Sequence, residues 1–299
     1  MFGRKPKMTK RISLTILMWL LSLGNYTTAD SAIANAADVN VPKAKILSVD
    51  EIVNKTNHVA YYQGFDGRSN VKMTITDSQG RQRIRELTIL RWDSPDPNRP
   101  KKEQRKDSDF CGEQKIYAFF NRPADVYKTV FMVWKHLDKD DDRWMYLPAL
   151  DLVKRISATD KRTSFVGTHF FYEDVSGRNI NDDVHELVKT TKDYYVLKNT
   201  PKDPKLVEFA YFEMWIHRES FIVVKTDYYD NQNKKYRSYE ALEMKRIQGY
   251  PTVTKAKMTD LRTNGNTIAE YSNIKYDIGI PNSIFTERYL RKPARRYLK

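Results

Sequence analysis

The chain has 299 residues, 40% apolar and 12% aromatic, enough to bury a substantial core in one large or two small domains. Nineteen tyrosines against eleven glycines favour strands over loops or disorder, and a single cysteine excludes an internal disulfide. The net charge of +14 asks for an anionic partner or a solvated basic surface. The N-terminal leader described next argues against nucleic acid and leaves an anionic membrane surface or lipid headgroup as the more economical partner.

The leader reads as a secretory signal peptide. Arg4, Lys5, Lys7, Lys10 and Arg11 form a basic stretch, residues 12–23 an apolar one, and Ala32-Ile33-Ala34 and Ala34-Asn35-Ala36 offer small-x-small cleavage sites. The apolar run is short of the ~20 residues that span a membrane comfortably; an uncleaved anchor is the alternative. Cys111 lies far from these sites, so no lipid-attachment cysteine follows the cut. The expected organisation is a signal peptide over 1–36, a connector over 37–47, one folded domain over 48–292 and a basic tail over 293–299.

Ser48, with Glu51 three residues on, is a capping box and starts a helix that runs to His58 or Tyr61 before Gly64 and Gly67. Val71, Met73 and Ile75 then alternate with polar residues, a strand that turns at 77–80 and returns over 81–92. Residues 93–109 are polar, with three prolines, and read as an exposed loop. Strands are expected at 114–120, 129–137 and 143–147. The acidic turn at 138–142 has Arg143 and Ala149 where a calcium loop needs glycine and glutamate, so it reads as a charged hairpin. Pro148 ends a strand, and a second run covers 150–156.

The next segment is too apolar for a surface loop: Phe165, Val166, Phe170, Phe171 and Tyr172, broken by Gly167, suggest a flap over something hydrophobic. Strands at 184–188 and 193–198 precede a meander over 208–217, 221–229, 235–247, 253–262 and 267–276, closed by a short helical cap within 281–290. The expected fold is mainly β (α+β): a single strongly curved antiparallel sheet, a half-barrel of about eleven strands, because a sheet that wide must curl or close. One of its faces is apolar and the other charged.

Several motifs together resemble the outer membrane lipoprotein-sorting protein family, which is related to the periplasmic Lol carriers. They are Trp144-x-Tyr146-Leu147-Pro148-Ala149-Leu150, Arg155-Ile156-Ser157-Ala158-x-Asp160, Ser164-Phe165-x-Gly167-Thr168 and Tyr172-Glu173-Asp174, flanked by Arg122-Pro123-Ala124-Asp125-Val126 and Phe285-Thr286-Glu287-Arg288. The resemblance spans roughly residues 48–292. One position departs from the pattern, since Lys128 stands where the family commonly has glycine. The resemblance implies helices held against the concave side of the half-barrel, with 48–61 and 165–174 as the candidates in this chain. It also implies an arginine that latches this lid, for which Arg83, Arg85 and Arg91 are the nearest candidates.

Catalytic signatures are missing. The five histidines have no metal-binding spacing, and no nucleophile elbow, dinucleotide fingerprint or phosphate loop is present, so neither cofactor nor metal is expected. His169 beside the flap aromatics reads as an ordinary polar residue. A carrier needs no catalytic group. At about 0.8 kcal/mol per methylene, two sixteen-carbon chains cost on the order of 20 kcal/mol to expose to water, and an apolar hollow removes most of that. Met73, Ile75, Phe165, Phe170, Phe171, Phe212, Met214 and Ile216 are the expected lining of such a hollow; ordinary core packing is the competing role for each.

The expected function is a periplasmic, non-enzymatic carrier of a lipid or of lipoprotein acyl chains between inner and outer membrane. It would touch the membrane surface transiently. The resemblance implies an inner-membrane transporter partner, of the resistance–nodulation type more than the ABC type. The alternatives are a non-transporting adaptor with a basic surface, a secreted hydrolase, and a membrane-embedded barrel, the last opposed by charges at both parities in 235–247.

Overall fold

A computed structural model describes residues 47–95 and 110–299. The expected signal peptide, the connector up to residue 46 and most of the expected loop at 93–109 lie outside the described residues. Helix α1 (Val49–Tyr61) begins as its capping box dictates: Ser48 Oγ accepts from the Glu51 N–H at 3.1 Å, and the Glu51 carboxylate accepts from the Ser48 N–H at 2.9 Å. Thirteen strands follow among the described residues: β1 (Asp66–Thr76), β2 (Gln82–Pro95), β3 (Phe110–Arg122), β4 (Val130–Lys135), β5 (Asp142–Leu147), β6 (Leu152–Arg155), β7 (Asp183–Thr190), β8 (Tyr194–Pro201), β9 (Tyr211–His217), β10 (Val223–Tyr229), β11 (Lys235–Ile247), β12 (Tyr250–Asp260) and β13 (Gly265–Tyr276). Two short helices, α2 (Tyr172–Ser176) and α3 (Glu287–Arg291), complete the elements used below.

All thirteen strands join one antiparallel sheet in the order β6-β5-β4-β3-β2-β1-β13-β12-β11-β10-β9-β8-β7. The sheet is curved and open, with β6 and β7 as its two edges. The chain therefore walks from the centre to one edge, crosses, and walks back from the other edge, so that β13 pairs with β1, Met73 opposite Ala269. Consecutive hairpins produce each half, as the turn signals predict. The crossing segment, 156–182, has to link the two edges, and it does so over the concave face. That topology explains why the apolar flap lies between two sets of strands rather than at a hairpin tip. No helix among the described residues is long and apolar enough to cross a membrane.

The expectation of one apolar and one charged face does not hold for β2–β5. Their concave residues Ile116, Ala118, Phe120, Phe131 and Val133 pack with Phe165 and Phe170 of the flap. Their convex residues Tyr117, Phe119, Val130 and Met132 pack with Ile280, Ile284, Phe285 and Leu290 from the C-terminal segment. Runs such as 130–133 are apolar on both parities because both faces are covered. Tyr117 Oη donates to the Tyr289 carbonyl at 2.7 Å and Trp134 Nε1 to the Phe285 carbonyl at 2.9 Å, fastening that cover.

The motif residues hold turns. Lys128 has φ +66°, the left-handed region that suits glycine, and its N–H reaches the Phe120 carbonyl at 3.0 Å. Asp125 pairs with Arg85 at 3.0 Å. Val166 and Gly167 both take positive φ, which turns the flap back on itself so that the Phe165 N–H bonds the Phe170 carbonyl at 2.8 Å.

Candidate functional site

Helix α1 buries Ile52, Val53 and Thr56 and packs the first two with Leu197 and Ile216, which rise from β8 and β9. Between α1, the flap and the concave face lies a groove of about 430 Å³. Its lining is mostly apolar: Val53 and Ala60 from α1, Ile89 and Ile116 from β2 and β3, and Met258 from β12. The size falls within the ~300–1,000 Å³ range of small-molecule sites.

Of the eight residues expected to line a hollow, Met73, Phe170, Phe212 and Met214 face this groove. The other four sit elsewhere. Ile75 is buried one pleat further along β1, and Ile216 is sealed beneath α1. Phe165 is fully buried among Phe120, Phe131 and Tyr172, with ring centroids 5.5–5.6 Å apart. Phe171 lies against the guanidinium of Arg237, 3.9 Å from the ring centre.

The flap is pinned by charge. Arg237, buried on β11, pairs with Asp174 (Nη1 to Oδ1 3.2 Å) and donates to the His169 carbonyl at 3.1 Å. Next to it Glu173, 2% exposed, takes three cations: Arg162 at 2.8 Å, Lys161 at 3.3 Å and Arg178 at 3.3 Å. Burial alone would raise this carboxyl, but Arg162, Arg178 and Lys161 together hold it down at about 2. Arg162 also binds Glu208, and Arg178 binds Asp183, so the hub ties the flap to the second half of the sheet. His169 meets Thr267 Oγ1 at 2.8 Å, and burial lowers its pKa.

The end of α1 is held differently. Arg91 on β2 donates to the carbonyls of Tyr61 at 2.7 Å and Gly64 at 2.9 Å, and to that of Gln63. Gln114 adds a bond to the Tyr61 carbonyl and one to Asp93 Oδ1, both 2.7 Å. Asp93 is buried 3.5 Å from Arg91; burial pushes its carboxyl up to about 7 against the pull of Arg91 and Gln114. Burial likewise pushes the Lys135 ammonium, which lies over the rings of Tyr61 and Tyr62, down to about 8. Gly177, at the end of α2, has φ +80°, and a Cβ there would come within 2.8–3.0 Å of the Tyr61 ring, so glycine lets helix and flap meet. Of the three candidate latch arginines, Arg91 touches α1, while Arg85 is paired with Asp125.

Sequence reasoning missed Arg237 and the Glu173 hub. Glu173 and Asp174 stood out as part of a motif, but their partners at 161, 162, 178 and 237 share no periodicity with them.

A family model described as "Uncharacterized protein" matches residues 112–292, and the chain belongs to that family. Among solved structures, a DUF1329 family protein from Desulfovibrio piger is 26% identical, with a TM-score of 0.69 over 81% of this chain and 97% of that one. A domain named for outer membrane lipoprotein sorting, from Vibrio parahaemolyticus, is 23% identical, with a TM-score of 0.69 over 82% of this chain and all of that one. A LolA superfamily protein from Nitrosomonas europaea is 18% identical, with a TM-score of 0.60 over 82% and 100%. These neighbours bear out the resemblance read from the motifs, as a shared fold. No curated protein matches the chain.

Proposed function

Starting from a chain with the lipoprotein-sorting fold, we propose that it is a periplasmic carrier whose groove shelters the acyl chains of a lipid or lipoprotein. The observation that carries the reading is the groove itself, about 430 Å³ with a mostly apolar wall, open between a helix and a sheet rather than filled by side chains. Met73, Phe170, Phe212 and Met214 supply adaptable apolar contacts at its surface.

Of the two covers, α1 is the one that moves. The flap is fastened by buried ion pairs and by Phe165 in the core, and breaking a buried pair is expensive. α1 rests on a small apolar patch and is held at its end by neutral carbonyls on Arg91. Releasing that arginine swings the helix off the groove, and an acyl chain that fills the space shifts the population toward the open form. Delivery by the signal peptide, passage between membranes and an inner-membrane transporter of the resistance–nodulation type complete the proposed setting.

The test is mass spectrometry of what co-purifies with the chain from native membranes, joined to extraction of labelled lipid from vesicles. The reading requires bound lipid or active extraction; protein that carries none and extracts none rejects it. The hydrolase alternative would need a measured activity lost on changing a single histidine or aspartate.

A further inference from the structure

Of the five tyrosines on the groove wall, Tyr276 shares a hydrogen bond with Thr252 Oγ1 at 2.9 Å; the other four come from four elements: Tyr61 from the end of α1, Tyr228 from β10, Tyr239 from β11 and Tyr271 from β13. Strand pairing puts the last three on the concave face. Tyr239 stands opposite Met258, Tyr271 opposite Val71, and Tyr228 opposite the buried Arg237. Each ring is half-buried, and the surface it keeps belongs to the groove wall.

Other tyrosines of the chain place their hydroxyls: Tyr117 on the Tyr289 carbonyl, Tyr236 on Glu208, Tyr146 on Asp151. None of the four groove hydroxyls has a hydrogen-bond partner among the described residues. The nearby acid, Asp174, is already taken by Arg237 and by the Phe171 N–H at 2.6 Å. Burial raises all four phenols, Tyr228 and Tyr271 to about 12, so all four remain neutral donors. Each of these hydroxyls opens onto the groove, where water or a ligand can pair it; a wall meant for bare hydrocarbon gains nothing from such a group, since phenylalanine packs nearly the same ring.

We infer that these four phenols form a polar subsite within the groove that donates hydrogen bonds to the ester or amide oxygens of an acylated ligand. The inference rests on the carrier reading and narrows it. The cargo is gripped at the junction where acyl chains meet oxygen, with its hydrocarbon running along Met73, Phe212 and Met214. Two sources share that chemistry: a free diacyl phospholipid and the acylated cysteine of a lipoprotein.

The experiment measures binding of three pyrene-labelled probes with equal chain lengths to the delipidated full chain. The probes are an alkane, a diacyl phospholipid and a dipalmitoylated cysteine peptide. Wild type and the triple variant Tyr228→Phe, Tyr239→Phe, Tyr271→Phe are compared, with Tyr239→Phe alone as the variant safest for folding. Wild type should prefer one or both ester probes to the alkane by at least about tenfold. Each lost hydroxyl that bonds the ligand should weaken ester binding about two- to tenfold and leave alkane binding unchanged or tighter. Whichever ester probe shows the greater loss identifies the source. Equal binding of esters by wild type and both variants, or no wild-type preference over alkane, overturns the subsite and leaves the carrier standing. Failure of all three probes to bind wild type removes both.

Discussion

Strands β2–β5 and strands β8–β12 are built from the same hairpin unit and serve opposite ends. The first set is covered on both faces, by the flap inside and by the C-terminal segment outside. The second set meets α1 through a small cluster and the flap through Arg237 of β11, and elsewhere lines the groove. A curved sheet tends to fill its own hollow, because burying apolar area is favourable. A hollow persists where something rigid keeps the flap from collapsing into it. Here the fully packed half anchors the flap through Phe165, and the charge hub around Glu173 fixes its far end. One half of the sheet spends its apolar residues on stability, and the other leaves part of its apolar surface for a ligand.

The sharpest way to break this contrast is to truncate a side chain in each half. Phe165→Ala removes a ring from a filled core and should cost about 3–5 kcal/mol by urea denaturation. Met214→Ala, on a half-buried groove wall, should cost under about 2 kcal/mol; equal losses would abolish the distinction. Next in size is Glu173→Gln, which leaves Lys161, Arg162 and Arg178 without their shared counter-charge and should cost about 3 kcal/mol.

The same carboxylate sets an acid limit. Its pKa of about 2 in the folded chain lies below the ordinary 4.5, so its stabilisation is complete above pH 4.5 and is lost as pH falls toward 2. Asp93 has the opposite sign. Raised to about 7 from 3.8, it contributes fully below pH 3.8, and that contribution disappears as pH rises through 7. Asp93→Asn should flatten the pH dependence of stability between these values, and Glu173→Gln the dependence below 4.5; an unchanged profile in either variant refutes the corresponding assignment.

Smaller effects sharpen the view that α1 is the moving cover. Arg91→Met removes the donor that binds three carbonyls at the end of α1 and should cost about 1–3 kcal/mol while increasing the rate of lipid-probe uptake. Slower or unchanged uptake would shift the moving part elsewhere. Ser48→Ala removes the N-cap and should cost about 1 kcal/mol, chiefly as earlier fraying of α1 in hydrogen exchange.

Much of the architecture was legible before the structure. The capping box at Ser48 and Glu51 and the alternation of Val71, Met73 and Ile75 are local signals, and each element formed where they placed it; the last hairpin, expected to join strands 253–262 and 267–276, turns two residues earlier, with Asp260 opposite Gly265. The candidate site was legible in part. Alternation told which residues of β1 and β9 share a face, so Met73, Phe212 and Met214 reached the groove. It could not tell how far along each strand the groove extends, and Ile75 and Ile216 fell beyond it under other cover. Phe165 and Phe170 belong to one apolar run, yet the positive φ at Val166 and Gly167 sends the first into the core and leaves the second facing the groove.

By itself the sequence determined the strands, their hairpin order, the capped helix and the presence of an apolar segment that no surface loop would carry, because those depend on spacing within a few residues. The tertiary structure alone decided that this segment crosses from one edge of the sheet to the other, that buried Arg237 and Glu173 hold it there, and that the phenols of Tyr61, Tyr228, Tyr239 and Tyr271 meet in one groove. Those contacts join residues tens of positions apart, and only the closing of β13 on β1 brings the two halves near enough to make them.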